Sequence, residues 1–260
     1  MKLFWISAAF VVLALVLPPV SQPQSYHAFV DDRTLLGIAN FWNTASNLPF
    51  VLVGLWGTWV LAPAQHVRAH FHDPAERWPY LAFFAAIALT GVGSAWYHLA
   101  PDDARLVWDR LPIALACAAL SVAFIGDIVG RRAMPALWPA LGIGAATVGW
   151  WQHTELHGAG NLIPYFALQT YVVAVALYLL LAVPARYSHR GDIWTMLAIW
   201  ILAHVAEWLD APLYAGGYFL SGHTFKHLLA ALAAAWLLRM ILRRSPLDPM
   251  PVATAAAGAT

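Results

Sequence analysis

Charged residues are scarce in this chain, and their scarcity excludes an ordinary soluble fold. Asp, Glu, Lys and Arg make up 10% of the 260 residues, whereas soluble domains average about 25%. Hydrophobic residues make up 61%. A soluble protein of this length could not remove that much apolar surface from water, because most of its own surface stays exposed. The composition therefore predicts a membrane protein.

Two further features are excluded by what the sequence lacks. The net charge of +1 leaves no basic surplus from which a nucleic-acid-binding surface would be built. The sequence has one cysteine, Cys117, so it forms no intramolecular disulfide, and we interpret Cys117 as a packing residue. Fourteen Trp and nine Tyr, in contrast, are typical of aromatic belts at two membrane interfaces.

Eight apolar runs are about long enough to cross the hydrocarbon core of a bilayer, which takes roughly 20 helical residues. They predict an all-α, polytopic membrane helix bundle with eight spans. The short linkers between them hold proline, glycine and charged residues, which interrupt helices. The runs are residues 3–20, 44–62, 79–99, 108–128, 135–151, 163–183, 192–209 and 222–242.

The distribution of Lys and Arg predicts the orientation of these spans. The termini and even-numbered loops hold ten such residues and the opposite side holds four. Because basic residues are enriched in cytoplasmic loops, we expect both termini in the cytoplasm of a bacterium and the outer loops in the periplasm. The ten are Lys2, Arg68, Arg77, Arg131, Arg132, Arg186, Arg190, Arg239, Arg243 and Arg244, and the four are Arg33, Arg105, Arg110 and Lys226.

The first apolar run has two interpretations. Lys2 followed by an apolar stretch is also the pattern of a signal peptide, but no A-x-A cleavage site follows it, and Pro18-Pro19 stands where one is expected. We therefore expect an uncleaved N-terminal helix within residues 1–22 and the main membrane domain over residues 23–244. The Pro- and Ala-rich residues 245–260 are predicted to form a disordered cytoplasmic tail.

Polar residues at membrane depth gather at the outer end of the predicted bundle. Ionisable groups at the centre of a membrane helix cost about 2.5–3.5 kcal/mol each, so they normally face the bundle interior and have a function. Apart from Asp127, the inner end has only loop charges. The gathered residues are Asn43, Asn47, Ser94, His98, Asp109, His153, Glu155, His157, Glu207, Asp210, His223, Lys226 and His227.

Three histidines in this group have the spacing of a metal site. His223 and His227 are four residues apart, so they project from one helix face and can bind one ion. His98 is a candidate third ligand, with Ser94 one turn before it and Asp109 eleven residues after it. Three neutral imidazoles leave the fourth position of Zn²⁺ open, as in catalytic sites.

The same residues also have structural interpretations. His98 could bond a backbone carbonyl at the interface, and Asp109 could form an ion pair with Arg110. Ser94 could be a small residue that lets two helices approach. The convergence of all of them on one membrane level favours the metal site. A receptor with a structural zinc remains open, and so does a transporter, although a transporter needs ionisable residues throughout the membrane.

Four segments of the sequence resemble ordered motifs of the alkaline ceramidases. That family belongs, with the adiponectin-receptor-like and Per1-like proteins, to the CREST superfamily of membrane hydrolases. The resemblance extends over roughly residues 30–242. The motifs are Asn40-Phe-Trp-Asn-Thr-Ala-Ser-Asn47, Gly93-Ser-Ala-Trp-Tyr-His98, Trp108-Asp-Arg-Leu-Pro112 and Ser221-Gly-His-Thr-Phe-Lys-His227.

The resemblance implies a seven-helix core, here the second to eighth spans, with the first span as an addition. It implies Zn²⁺ held by His98, His223 and His227, with Asp109 and Ser94 as catalytic residues. It also implies a zinc-dependent amidohydrolase that cleaves the N-acyl amide bond of ceramide-like lipids to a fatty acid and a long-chain amine. The expected partner is a membrane lipid, and a different amide or ester lipid remains an alternative.

The sequence departs from the family at a calcium site. Alkaline ceramidases carry acidic Ca²⁺ ligands just before the Asn-Thr-x-Ser-Asn motif, and a glutamate among them is matched here by Asn40. Asp31 is nearby in the sequence. Asp31 and Asn40 are therefore the candidate residues of a second cation site.

Overall fold

The computed structural model describes residues 1–217 and 219–247, and almost all regular structure in them is helical. Two isolated β-bridges are the only strand-like pairings in this part of the chain. The α-helices are α1 (Lys2–Val16), α2 (Phe41–Ala45), α3 (Leu48–Leu61), α4 (Ala64–Val67), α5 (Trp78–Leu99), α6 (Asp103–Val129), α7 (Leu137–Leu156), α8 (Ile163–Ala182), α9 (Asp192–Trp208), α10 (Asp210–Ala215) and α11 (Gly222–Arg243). Each of the eight predicted spans coincides with one of the longer helices.

Within the described residues, five helical stretches are long and apolar enough to cross a membrane, which confirms the all-α membrane bundle. One of them contains two helices, α6 and α7, joined by the 3₁₀ segment Gly130–Ala136. α1 is apolar but has only 15 residues. The count of eight spans therefore stays a prediction. The stretches are Phe41–Leu61, Pro74–Leu99, Asp103–Leu156, Ile163–Ala182 and Gly222–Arg243.

Three helix boundaries differ from the predicted ones. α6 begins five residues before the predicted start, because the Asp102 carboxylate accepts a hydrogen bond from the Arg105 backbone N–H at 2.7 Å and caps the first turn. The second predicted span is broken at residues 46–47 into α2 and α3. α7 continues through Leu156, so His153 and Glu155 lie in a helix and not in the predicted loop.

α6 lies at the centre of the bundle and packs against α5, α7 and α8, while α11 packs against α9 and α3. The core between them is aromatic and aliphatic, with Phe84 and Phe124 fully buried. Ten of the fourteen tryptophans are more than a third exposed. Such a surface is unsuitable for water and suits lipid and its interfaces.

Both ends of the described part of the chain contact the bundle. α1 packs on α8, where the Ser7 and Tyr171 hydroxyls are 2.7 Å apart. Residues 245–247 pair with the loop after α8, through bonds from Ser188 N to Ser245 O and from Leu247 N to Arg186 O. The first three residues of the predicted tail therefore contact the bundle, and the rest of it, residues 248–260, lies outside the described part. The division at residue 22 stays a prediction.

Candidate metal centre

Two glycines permit the close helix contacts at the end of the bundle where the polar residues gather. A Cβ on Gly93 of α5 would collide with the carbonyl oxygen of Trp108 on α6. A Cβ on Gly222, at the start of α11, would collide with the carbonyl oxygen of Ala206 on α9. Only glycine allows the backbones to approach this closely. Two pairs of helices, α5 with α6 and α9 with α11, therefore meet tightly at the level of the candidate site.

The three histidines of the predicted site come together. His98 near the end of α5 and His223 and His227 in the first turns of α11 each offer one ring nitrogen, and these nitrogens lie within 4.8 Å of one another. The His98 ring centroid is 5.0 Å from each of the other two, which are 4.7 Å apart. All three side chains are buried. We call them the histidine trio.

Unpaired ring nitrogens in the trio fit a metal ion. His98 Nδ1 and His223 Nε2 are buried and have no hydrogen-bond partner among the described residues. A buried polar atom without a partner costs about 1–3 kcal/mol, so two in one place need an explanation. A cation with affinity for imidazole would satisfy both, and three neutral histidines are a donor set that suits Zn²⁺.

His227 is oriented by a serine to which the sequence interpretation gave no role. Its Nδ1 lies 2.8 Å from the hydroxyl of Ser46, in the break between α2 and α3. Ser46 donates its one proton to the carbonyl oxygen of Asn43 at 3.1 Å, so it accepts from Nδ1–H of His227. This tautomer leaves Nε2 free for a metal. Ser46 is therefore a positioning residue for the trio.

Asn43 connects the same motif to the start of α11. It is completely buried, and its Oδ1 accepts a hydrogen bond from the Thr224 hydroxyl at 2.9 Å. Thr224 in turn donates its backbone N–H to Ser221, which caps α11. The first helical turn that presents His223 is thus fixed by hydrogen bonds to α2.

Asp109 and Ser94 face each other where α5 and α6 touch. Both side chains are buried, with Asp109 9% and Ser94 2% exposed, and the backbone of Gly93, next to Ser94, lies directly against that of Trp108, next to Asp109. Asp109 does not form an ion pair with Arg110, in contrast to the structural interpretation of Asp109 given by the sequence. Arg110 instead donates to Gln22 and lies 4.3 Å over the ring of Trp151. The Asp109 carboxylate is therefore not neutralised by its sequence neighbour.

A half-buried ion pair lies behind His223. Lys226 Nζ donates to Glu207 Oε1, and the same oxygen is 3.8 Å from His223 Nδ1. A carboxylate on this side favours the Nδ1–H tautomer, which leaves the unpartnered Nε2 for a metal. Lys226 lowers the pKa of Tyr26, but burial and the charges of Glu207 and Asp109 outweigh it and raise that pKa above its usual value. The Tyr26 hydroxyl therefore stays protonated and is able to donate a hydrogen bond beside these charges.

The segment between α1 and α2 covers the trio. The Phe29 ring centroid is 4.6 Å from that of His98 and 4.8 Å from that of His223. His27 fixes the segment, with one ring nitrogen 2.9 Å from the Tyr97 hydroxyl and the other 3.0 Å from the Asp103 carboxylate. The site is therefore closed by an aromatic cover that the sequence interpretation did not include.

Asp31 and Asn40, the candidates for a second cation site, each have another partner. Both carboxylate oxygens of Asp31 accept from the Arg33 guanidinium at 2.7 Å, and this pairing raises the pKa of Arg33. Asn40 has a left-handed backbone with φ 45°, which asparagine tolerates, and its Nδ2 donates to the carbonyl oxygen of His98 at 2.8 Å. Asn40 therefore helps to position His98. The second site stays a prediction without support from these contacts.

The fold and the trio define a class, the all-α membrane proteins with a buried three-histidine centre at one end of the bundle. The sequence matches the family model described as Ceramidase over residues 34–245. The chain belongs to the ceramidase family, and the resemblance in the four motifs is thereby confirmed. Membership implies a membrane hydrolase that acts on amide bonds, with a lipid substrate such as ceramide. No match is found among curated proteins.

Proposed function

We propose that this protein is a zinc-dependent amidohydrolase that cleaves the N-acyl amide bond of ceramide-like lipids. The observation that carries the proposal is the buried histidine trio, with two unpaired ring nitrogens, in a member of the ceramidase family. His98, His223 and His227 would hold the ion. Bound Zn²⁺ would supply a Lewis acid for the amide carbonyl and lower the pKa of a water molecule.

Asp109 and Ser94 are the residues we assign to the reaction. The Asp109 carboxylate would accept a proton from the attacking water and deliver it to the nitrogen of the leaving amine, which departs poorly without it. The Ser94 hydroxyl would donate a hydrogen bond to the oxygen that becomes negative when the carbonyl is attacked. We do not assign Ser94 as a nucleophile, because it needs a dedicated base and His98 is committed to the trio.

Purified protein is expected to release fatty acid from a ceramide-like amide, and a chelator is expected to abolish the release. The check is mass spectrometry of lipids after incubation, with and without chelator, and again after zinc is restored. An ester with the same acyl chain distinguishes an amidase from a general lipase. If no amide lipid is cleaved while the protein still binds zinc, a receptor with a structural zinc becomes the better proposal.

We further propose that the site faces the periplasm of a bacterial inner membrane and that both termini are cytoplasmic. The ten basic residues at the opposite end support this orientation. A reporter at the C-terminus should read as cytoplasmic, and one inserted in residues 158–161, between α7 and α8, as external. An external C-terminus would contradict this orientation, because α11 would then run outward and the site at its start would lie at the cytoplasmic face.

A further inference from the structure

A second buried cluster of charged residues lies at the opposite end of the bundle, about 25 Å along α11 from His227 at 1.5 Å per residue. Arg244, which is 1% exposed, donates from Nη1 to both oxygens of Asp127 at 3.1 and 2.9 Å. Tyr80 donates to the same carboxylate at 2.7 Å. Asp127 therefore pairs with the charge of Arg244 through Nη1, while Nε of Arg244 donates to the carbonyl oxygen of His70 at 3.1 Å.

Two more arginines flank this pair. Arg186 lies 3.3 Å from the Glu76 carboxylate and donates to the carbonyl oxygen of Gly126 at 2.6 Å. Arg190 donates to carbonyl oxygens at the end of α8, including Leu179 at 3.0 Å. Three guanidinium groups thus stand against two carboxylates, Asp127 and Glu76. The cluster carries a surplus of one positive charge.

The three arginines line one cavity. Its volume is about 250 Å³ including the open mouth, and its closed part has room for about one water-sized group. Nη2 of Arg244 is buried and has no hydrogen-bond partner among the described residues. Burial acts against its charge, but Asp127 and two tyrosines outweigh burial and raise the pKa of Arg244. The lining residues are Asp127, Leu179, Arg186, Tyr187, Ser188, Arg190, Ile193, Met240 and Arg244.

The cavity lies where helices of the bundle end, which is the level at which membrane head groups are expected. α8 ends at Ala182, α9 begins at Asp192 and α11 ends at Arg243, and the cavity opens among these three helix ends. Phospholipid phosphates are concentrated at this depth. Guanidinium groups bind phosphate oxygens strongly, through short charge-assisted hydrogen bonds.

We propose that this cavity binds a phosphate group, with one phosphoryl oxygen entering to meet Arg244 Nη2 while Arg190 and Arg186 flank the mouth. A phospholipid head group is the expected source, because the cavity opens where such head groups lie. The site is separate from the histidine trio and does not depend on the reaction proposed there. It would fix a phospholipid at the end of the bundle opposite the trio.

The test compares three probes on the detergent-purified full chain, with the melting temperature as readout. Phosphatidylglycerol should raise it in a saturable way. Diacylglycerol with the same acyl chains, which lacks the phosphate, should not. Equal stabilisation by diacylglycerol would overturn the proposal, since acyl chains alone would then explain binding. If inorganic phosphate at the same concentration gives the full stabilisation, the cavity binds a phosphate group as proposed, but its ligand is free phosphate and not a phospholipid.

Matched variants separate this site from general surface attraction. Arg190→Gln should weaken phosphatidylglycerol binding on the order of fivefold or more, whereas Arg131→Gln removes the same charge from an exposed position outside the cavity and should have little effect. Arg190→Lys keeps the charge and should recover part of the affinity, which guards against a loss that comes only from misfolding. An equal loss in both glutamine variants would overturn the proposal, as would no loss in either.

Discussion

Replacement of both His223 and His227 by alanine is expected to remove zinc from the purified protein. Wild-type protein should carry about one zinc per chain. The two residues supply two of the three ligand nitrogens, and His98 alone cannot retain the ion. His98→Ala should also lower occupancy sharply. The measurement is metal analysis of detergent-purified variants whose helical content matches that of the wild type.

A second histidine pair in the chain provides the control. His153 and His157 are also four residues apart, and their ring centroids are 4.4 Å from each other. Both are exposed at the C-terminal end of α7, and no third metal-ligating residue joins them in the described part. Alanine at both positions should leave the zinc content unchanged. Equal zinc loss in the two double variants would contradict the site, and so would full retention in the His223 and His227 variant.

Ser46→Ala should give an intermediate result. The histidine ligands remain, but His227 loses the hydroxyl that selects its tautomer, and losses of such supporting partners typically weaken metal affinity about 10–100-fold. Competition with a chromogenic chelator measures this affinity. Ser121→Ala is the control, because its hydroxyl bonds only the Cys117 carbonyl within α6. Unchanged affinity in Ser46→Ala would mean that the helix α11 alone orients His227.

The sequence was informative where function follows from spacing along one helix. His223 and His227 could be paired because residues four apart share a helix face, and the apolar runs could be counted because a bilayer requires a minimum length. His98 could be added only by reasoning about membrane level, since it lies on another helix. The structure confirms that the three nitrogens meet.

Contacts made across the bundle could not be read from the sequence. Phe29 lies in an irregular segment, and no periodicity connects it to His98 on α5. Ser46 belonged to a recognised motif, but its contact with His227 depends on the break between α2 and α3, which the predicted span 44–62 did not include. Asp109 and Arg110 are neighbours in the sequence, but successive helical residues point in different directions, and the ion pair that was left open as an alternative does not form.

Asp109→Asn is the variant that separates catalysis from metal binding. Asparagine keeps the size and much of the hydrogen-bonding shape of the carboxylate but cannot accept and return a proton. Asp109 is not one of the trio and is not paired with Arg110. Its replacement should therefore leave zinc in place and lower only the turnover.

The expected loss of turnover in Asp109→Asn is about 10²–10⁴-fold, the usual contribution of a positioned general base. Ser94→Ala should lose about 10²–10³-fold, as for one hydrogen-bond donor to an oxyanion. Zinc content and fatty-acid release from a ceramide-like amide should be measured on the same preparation. Loss of zinc together with activity would mean that Asp109 supports the metal site and is not a base.

Asp102→Asn is the matched control for Asp109→Asn. It makes the same chemical change on α6, at an exposed residue whose capping role asparagine fulfils equally well. Turnover in Asp102→Asn should stay near the wild-type value. Wild-type turnover in Asp109→Asn would exclude Asp109 as the base, and another group at the site, such as Glu207 beside His223, would have to accept the proton. A strong loss in Asp109→Asn with zinc retained would place the proton transfer on α6, whereas two of the three candidate metal ligands lie on α11.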